Sequence, residues 1–319
     1  VTLLEVMTGT QAPQVARSPA RLAWRRLRRD RVAVASAVAL AVIVALSAGA
    51  PVVCALLGID TERHIELLSI DNVGFPEGAF GGMSADHPLG VEPKTGRDLL
   101  ALLLYGSRTS LLIALGATAL SVVLGVAFGL CAGYFRGWVD SVLSRTMDAL
   151  LAFPVLLFSI ALLVVLGGVT PTGGNGNGLR IAVLILVIGF FGFPYVGRLV
   201  RGQVIALRQR EFVEAARALG ASDRRILGTE ILPNLVSPIL VVATLTIPTR
   251  ILAEAALSFL GVGIQPPGTS WGQLLGSASH VFTVTPTYML FPGLTVVVTV
   301  LAFNLLGDGL RDAFDPKTN

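Results

Sequence analysis

The sequence predicts an all-α membrane protein of six transmembrane helices, on three grounds. Of the 319 residues, 53% are hydrophobic and 14% charged, where a soluble domain carries about 25% charged residues; mean hydropathy is +0.75. Apolar runs able to supply the ~20 residues that cross a bilayer core recur at about 32–57, 109–134, 142–166, 181–200, 235–260 and 288–306. Finally, arginines collect at alternate connections between these runs.

Taken in order, residues 1–31 read as a cytoplasmic tail holding Pro13, Pro19 and a cluster from Arg21 to Arg31. A basic stretch followed by an apolar run could be a cleaved signal, but this run is too long and further runs follow, so it reads as a retained first span. Residues 58–108 form an external loop rich in Gly and acid, ending in an interfacial helix over Leu99–Tyr105. Gly106-Ser107-Arg108 is expected to break the helix, with Ser107 or Thr109 capping the second span. Pro154 is expected to kink the third span. Gly167–Gly178 reads as an external turn. Gly189, Gly192, Gly197 and Pro194 point to close, bent packing of the fourth span. The fifth span carries Pro238 and Pro248, and a Gly- and Pro-rich external loop follows, with Trp271 expected as an interfacial anchor. Residues 307–319 form a cytoplasmic tail.

Charge orients the set. With both termini inside, the cytoplasmic segments hold the N-terminal arginines, Arg136, Arg145, the series from Arg198 to Arg225, Arg311 and Lys317. The external segments hold Arg63, Lys94, Arg97, Arg108 and Arg180. This is the bias of inner-membrane topology, and it explains the net charge of +4 better than nucleic-acid binding does.

Motifs for catalysis are missing. Lys94 and Lys317, the chain's two lysines, each follow proline, so there is no P-loop. His64, His87 and His280 fall in predicted external loops without metal-ligand spacing. Cys54 and Cys131 lie in apolar runs and read as buried thiols at opposite faces. No cofactor or metal is expected on this chain. Charges inside spans are fewer and more informative. Asp148 lies near the cytoplasmic end of the third span, and Arg250 and Glu254 lie in the fifth, four residues apart. Two readings of that pair stay open: it neutralises itself, with Arg250 snorkelling outward, or one or both residues line the outer translocation path, where a peptide's charged ends would pass.

The most informative stretch lies in the polar connection 201–234. Phe212, Ala215, Ala216 and Leu219 recur at helical spacing. Gly220 sits where a helix stop needs φ > 0. Ser222 and Asp223 can open a second helix, which Pro233 is expected to end. Glu214-Ala215-Ala216, then Gly220, then Ile231-Leu232-Pro233 resembles the EAA loop of ABC importer permeases.

Further blocks resemble the dipeptide/oligopeptide branch: His87-Pro88-Leu89-Gly90, Gly96-Arg97-Asp98, Tyr105-Gly106-Ser107-Arg108, Glu254-Ala255-Ala256-Leu257-Ser258-Phe259, Ser270-Trp271-Gly272 and Gly307-Asp308-Gly309. With Trp24-Arg25-Arg26 they are similar to the C-type subunit. The resemblance implies a type I importer permease in a bacterial cell membrane, paired as a heterodimer with a B-type permease. It also implies two ATPase domains on one or two other chains, which use ATP and Mg, and an extracytoplasmic substrate-binding protein. Glu214, Ala215, Ala216, Leu219, Gly220, Ala221 and Ser222 would couple to the ATPase. Import of nickel or another small solute is the alternative within the branch, and a secondary transporter the rival outside it; the latter wants acidic coupling-ion residues at the midplane, which the sequence barely offers.

Overall fold

The structure, a computed structural model, describes residues 24–69, 74–77, 80–167 and 174–314. The predicted tails therefore lie outside the described residues, except for 24–31 and 307–314.

The first apolar run is divided between α1 (Arg31–Ala48) and α2 (Ala50–Leu57). Pro51, at the start of α2, cannot donate to the preceding turn, and Gly49 takes the break. Asp30 caps α1, accepting from the Val32 and Ala33 amides at 2.9 and 3.2 Å.

The expected break at Gly106–Arg108 is absent. Leu99–Tyr134 is one helix of 36 residues, α3, capped by Asp98 through the Ala101 amide at 2.9 Å rather than by Ser107 or Thr109. Ser107 turns its hydroxyl back to the Leu104 carbonyl at 2.6 Å. Gly106 is small because the backbone of Ser270 passes over it: a Cβ there would lie 3.3 Å from the Ser270 carbonyl carbon.

Pro154 does more than kink the third run. α4 (Trp138–Leu151) and α5 (Val155–Gly167) meet at 75°. Helix α6 (Gly174–Leu207) begins inside the expected external turn, of which 168–173 lie outside the described residues.

Among the described residues, α3 and α6 are the most extensively packed helix pair. Gly116 faces Ile185, Gly125 faces Val196, Gly129 faces Val200 and Gly133 faces Val204. The numbers rise together, so the helices run parallel, and the chain between them must return across the bundle. The bent pair α4–α5 is that return. Gly125, Gly129 and Gly133 repeat every four residues, a small-residue seam on one face of α3. A Cβ on Gly129 would sit 2.7 Å from both the Gly197 carbonyl oxygen and Val200 Cβ.

α7 (Glu211–Ala218) follows, then a turn of helix at Asp223–Arg225, a π-helical stretch at Ile226–Ile231 and α8 (Leu232–Phe259). Pro233 does not end a helix: Asp223–Phe259 passes as one 37-residue helical element. Proline removes a donor and pushes on the carbonyl four residues back; the wider π-turn just before it accommodates both effects.

α9 (Trp271–Ala278) and α10 (Pro286–Phe314) complete the fold, α10 running through the expected start of the C-terminal tail. There Gly307 packs on Leu245, and a Cβ at Gly309 would lie 2.5 Å from Ala33 Cβ, so the last turns of α10 adjoin the first turn of α1. Trp271 is no interfacial anchor. It is fully buried with Leu102, Ile251, Leu274 and Tyr288 in the largest apolar cluster. Gly272 makes room, since a Cβ there would meet Ala255 Cα at 2.5 Å.

Among the described residues, five helices are long and apolar enough to cross a membrane, or six if the bent pair is one span. The loop before α3 adds a two-stranded antiparallel ribbon, Leu68–Ser69 with Phe75–Pro76.

Candidate functional site: the polar loop and the charges of α8

The polar connection is rooted in the bundle on one side and open on the other. Val213, Ile226, Ile231 and Leu235 are fully buried against Val196, Val200, Val204 and Tyr134, at the ends of α6 and α3. Arg208 donates from Nη1 to the carbonyls of Gly133 at 3.0 Å and Tyr134 at 3.1 Å, satisfying acceptors that the end of α3 leaves free. The Tyr134 hydroxyl donates to Asp223 at 2.6 Å. Arg201 forks onto Asp140 at 2.6 and 2.8 Å, and Arg198 pairs with Asp148, so α4 is tied to α6 at the same end.

The buried side of α7 is not the stripe that helical spacing picks out. Val213 faces inward, while Phe212, Ala215 and Leu219 face outward, Leu219 being 89% exposed. Glu214, Gly220 and Ser222 are also exposed, and Ala216 and Ala221 are half-buried against the root. Gly220 has φ +79 and turns the chain between the two short helices, as its spacing predicts. Ser222 occupies the cap position, but its side chain makes no capping bond.

Arg250 and Glu254 do not pair. Glu254 is completely buried near the far end of α8, accepting from Ser110 at 2.8 Å and Ser258 at 2.7 Å. Ser110 also accepts from the Trp271 amide at 3.1 Å, so this acidic residue joins α3, α8 and α9. Arg250 turns instead to α6, donating from Nη2 to the Gly192 carbonyl at 3.3 Å. It borders a cavity of about 280 Å³ with Leu151, Gly192, Tyr195, Thr246 and Thr249.

The extended loop before α3 is clamped to α10. Tyr288 donates to Glu92 at 2.6 Å, Arg97 donates to the same carboxylate at 2.6 Å, and Thr287 donates to the Phe80 carbonyl at 2.9 Å. His87 lies 2.9 Å from Asp98. His64 lies 2.9 Å from Asp60 and 3.1 Å from Glu66, and these hydrogen bonds, Asp60 first, raise its pKa above 6.5. Both histidines are thus held by carboxylates of the loop or of the residue that caps α3.

A rooted polar loop between two long apolar helices thus lies at one end of a glycine-seamed bundle. Residues 125–319 match the family described as binding-protein-dependent transport system inner membrane component, and residues 18–56 match the N-terminal transmembrane domain of oligopeptide transport permease C. The chain belongs to the permeases of ABC importers, in the oligopeptide permease C branch. It is 38% identical over 301 residues to a glutathione transport system permease protein of Pectobacterium atrosepticum, covering 94% of this chain and 92% of the relative. It is 36% identical over 300 residues to a dipeptide transport system permease protein of Alkalihalophilus pseudofirmus, covering 94% and 90%. In fold, an inward-facing structure of the MetNI methionine ABC transporter aligns with a TM-score of 0.52 at 21% identity, over 67% of this chain and 97% of that one. Members of this family are permease subunits, not enzymes.

The glycine seam of α3 escaped the sequence reading although its signal, Gly125-x-x-x-Gly129-x-x-x-Gly133, is explicit. The Glu254–Ser110 bond had no local signal, since its partners are 144 residues apart.

Proposed function

We propose that this chain is one of two membrane subunits of an ATP-driven importer of di- or oligopeptides, and that α7 with the Gly220 turn couples it to the ATPase. The observation that carries the coupling role is the outward ridge Phe212–Ala215–Leu219 on a helix whose opposite side is locked into the bundle. Apolar side chains exposed on a rooted polar loop are what a helix-in-groove contact with a partner requires. Glu214 beside the ridge, Ala216 before the turn, and Ala221 and Ser222 after it belong to the same contact unit.

The heterodimer partner is a B-type permease. ATP and Mg are used by two ATPase domains on one or two other chains, and an extracytoplasmic binding protein delivers substrate. The named dipeptide and glutathione relatives favour a peptide over nickel. Both termini face the bacterial cytoplasm, a reading supported by the arginine bias and by Gly309 lying on Ala33. Arg250 lines the path. Glu254, buried among serines, holds α3, α8 and α9 in register around it.

Reconstitution tests the assignment. Peptide uptake should require the binding protein, the second permease and the ATPase together, and uptake without the ATPase would sink it. Ser222→Cys should label only from the cytoplasmic side and Glu62→Cys only from outside; the reverse pattern would overturn the orientation.

A further inference from the structure

We infer that Arg250 is a carboxylate-reading position on the permease path, which engages the free carboxylate of the passing substrate; the inference rests on the reading of this chain as half of that path. Arg250 lies nine residues before the end of α8, or ~14 Å along a helix, well inside a hydrocarbon core of ~30 Å. A guanidinium at that depth is costly unless it meets a protein group, water or a ligand. Among the described residues, no carboxylate lies within ion-pair distance of it: the only acid nearby in sequence, Glu254, is turned away and occupied by two serines. Among the described residues its one hydrogen bond is a long contact to the Gly192 carbonyl at 3.3 Å, and its buried Nε has no partner there. The side chain thus carries a full charge and an unused donor.

The surroundings fit a ligand better than a structural role. The cavity of about 280 Å³ that Arg250 borders is walled by Leu151, Tyr195 and Leu245 and by Thr246 and Thr249, whose hydroxyls donate to carbonyls of their own helix. That volume suits the carboxylate-bearing end of a small organic acid or short peptide. Gly192 is part of the device. A Cβ there would lie 2.1 Å from Arg250 Nη2, so only glycine lets the guanidinium lie against α6 beside the cavity. An arginine fork donates side by side to the two oxygens of a carboxylate, and apolar walls strengthen such a bond.

The test uses the whole complex, with its second permease, ATPase and binding protein, in proteoliposomes. A dipeptide and its C-terminal amide are supplied at concentrations that saturate the binding protein. Arg250→Gln is expected to lower the acid-to-amide uptake ratio by about tenfold, the scale of one lost charge-assisted hydrogen bond; an unchanged ratio overturns the inference. A second measurement needs no delivery. Millimolar N-acetylglycine should raise the melting temperature of the purified complex more than N-acetylglycinamide does, and Arg250→Gln should erase that difference. Equal shifts in the native complex overturn the inference. If the melting difference is present but neither peptide is taken up, the carboxylate site stands and the peptide-importer assignment fails. Loss of the second permease from the Arg250→Gln complex would place the guanidinium at a subunit contact and overturn the inference.

Discussion

Gly220→Val should separate the proposed coupling role from assembly. Gly220 holds φ +79, and a Cβ added there meets no atom within 4 Å, so the substitution creates no clash and the whole cost is backbone strain. Left-handed backbone costs an ordinary residue ~1–2 kcal/mol, and a β-branched one fares worse. That is a factor of roughly 5–30 in the occupancy of the native turn. The strain stays local because the loop is anchored on both sides of the turn, by Val213 before it and Ile226 after it. Membrane abundance of the complex should therefore stay near normal. Substrate-stimulated ATP hydrolysis in proteoliposomes should fall severalfold, because the exposed ridge of α7 is no longer held at its angle to the following helix. Gly220→Asn, which tolerates the left-handed region better, should lose less. Full stimulation in the valine variant would refute the claim that this turn carries the coupling geometry.

Gly129→Ala should destabilise the bundle by about 1–3 kcal/mol, the usual cost of overpacking, since its methyl would meet Gly197 O and Val200 Cβ at 2.7 Å; an unchanged melting temperature in detergent would dismiss the seam. Glu254→Leu should reduce folded complex in the membrane, because Ser110 and Ser258 lose their acceptor at ~1–3 kcal/mol per stranded buried group, whereas Glu254→Gln should retain most of it; equal yields of the two variants would contradict this. His64 predicts a pH dependence of the external loop: with a folded pKa raised above 6.5, its stabilisation is complete below the unfolded value and is lost as pH rises through the folded one. Amide-exchange protection around residues 60–69 should thus weaken with rising pH, and a His64→Gln variant that keeps the same slope would exclude the histidine as its source.

The helical membrane fold was legible in the sequence, because hydropathy is a property of single segments. The polar loop and its Gly220 turn were visible for the same reason: a left-handed stop has a local chemical signature. What failed were inferences about small residues. Gly106 looked like a helix breaker and is a groove for the Ser270 backbone. Pro233 looked like a helix end and is absorbed by a π-turn. Glycine and proline say that something unusual happens to the backbone, but whether the chain bends or a neighbour approaches is decided by elements far away in sequence. Arg250 and Glu254 show the limit most clearly. Spacing of four residues permits a pair, yet Ser110, from a different helix, captures the acid first.

The unbroken passage from Asp223 to Phe259 has a mechanical consequence. Arg250 lies 27 residues beyond Asp223 on this element, or ~40 Å at 1.5 Å per residue. The same rod begins at the Gly220 turn, with Asp223 held by Tyr134. A tilt of ~10° about that end sweeps a point ~40 Å away through ~7 Å, more than the width of a carboxylate. On the proposed coupling role of the Gly220 turn, this element would act as a lever, long enough to carry a small rotation at that turn to the level of Arg250.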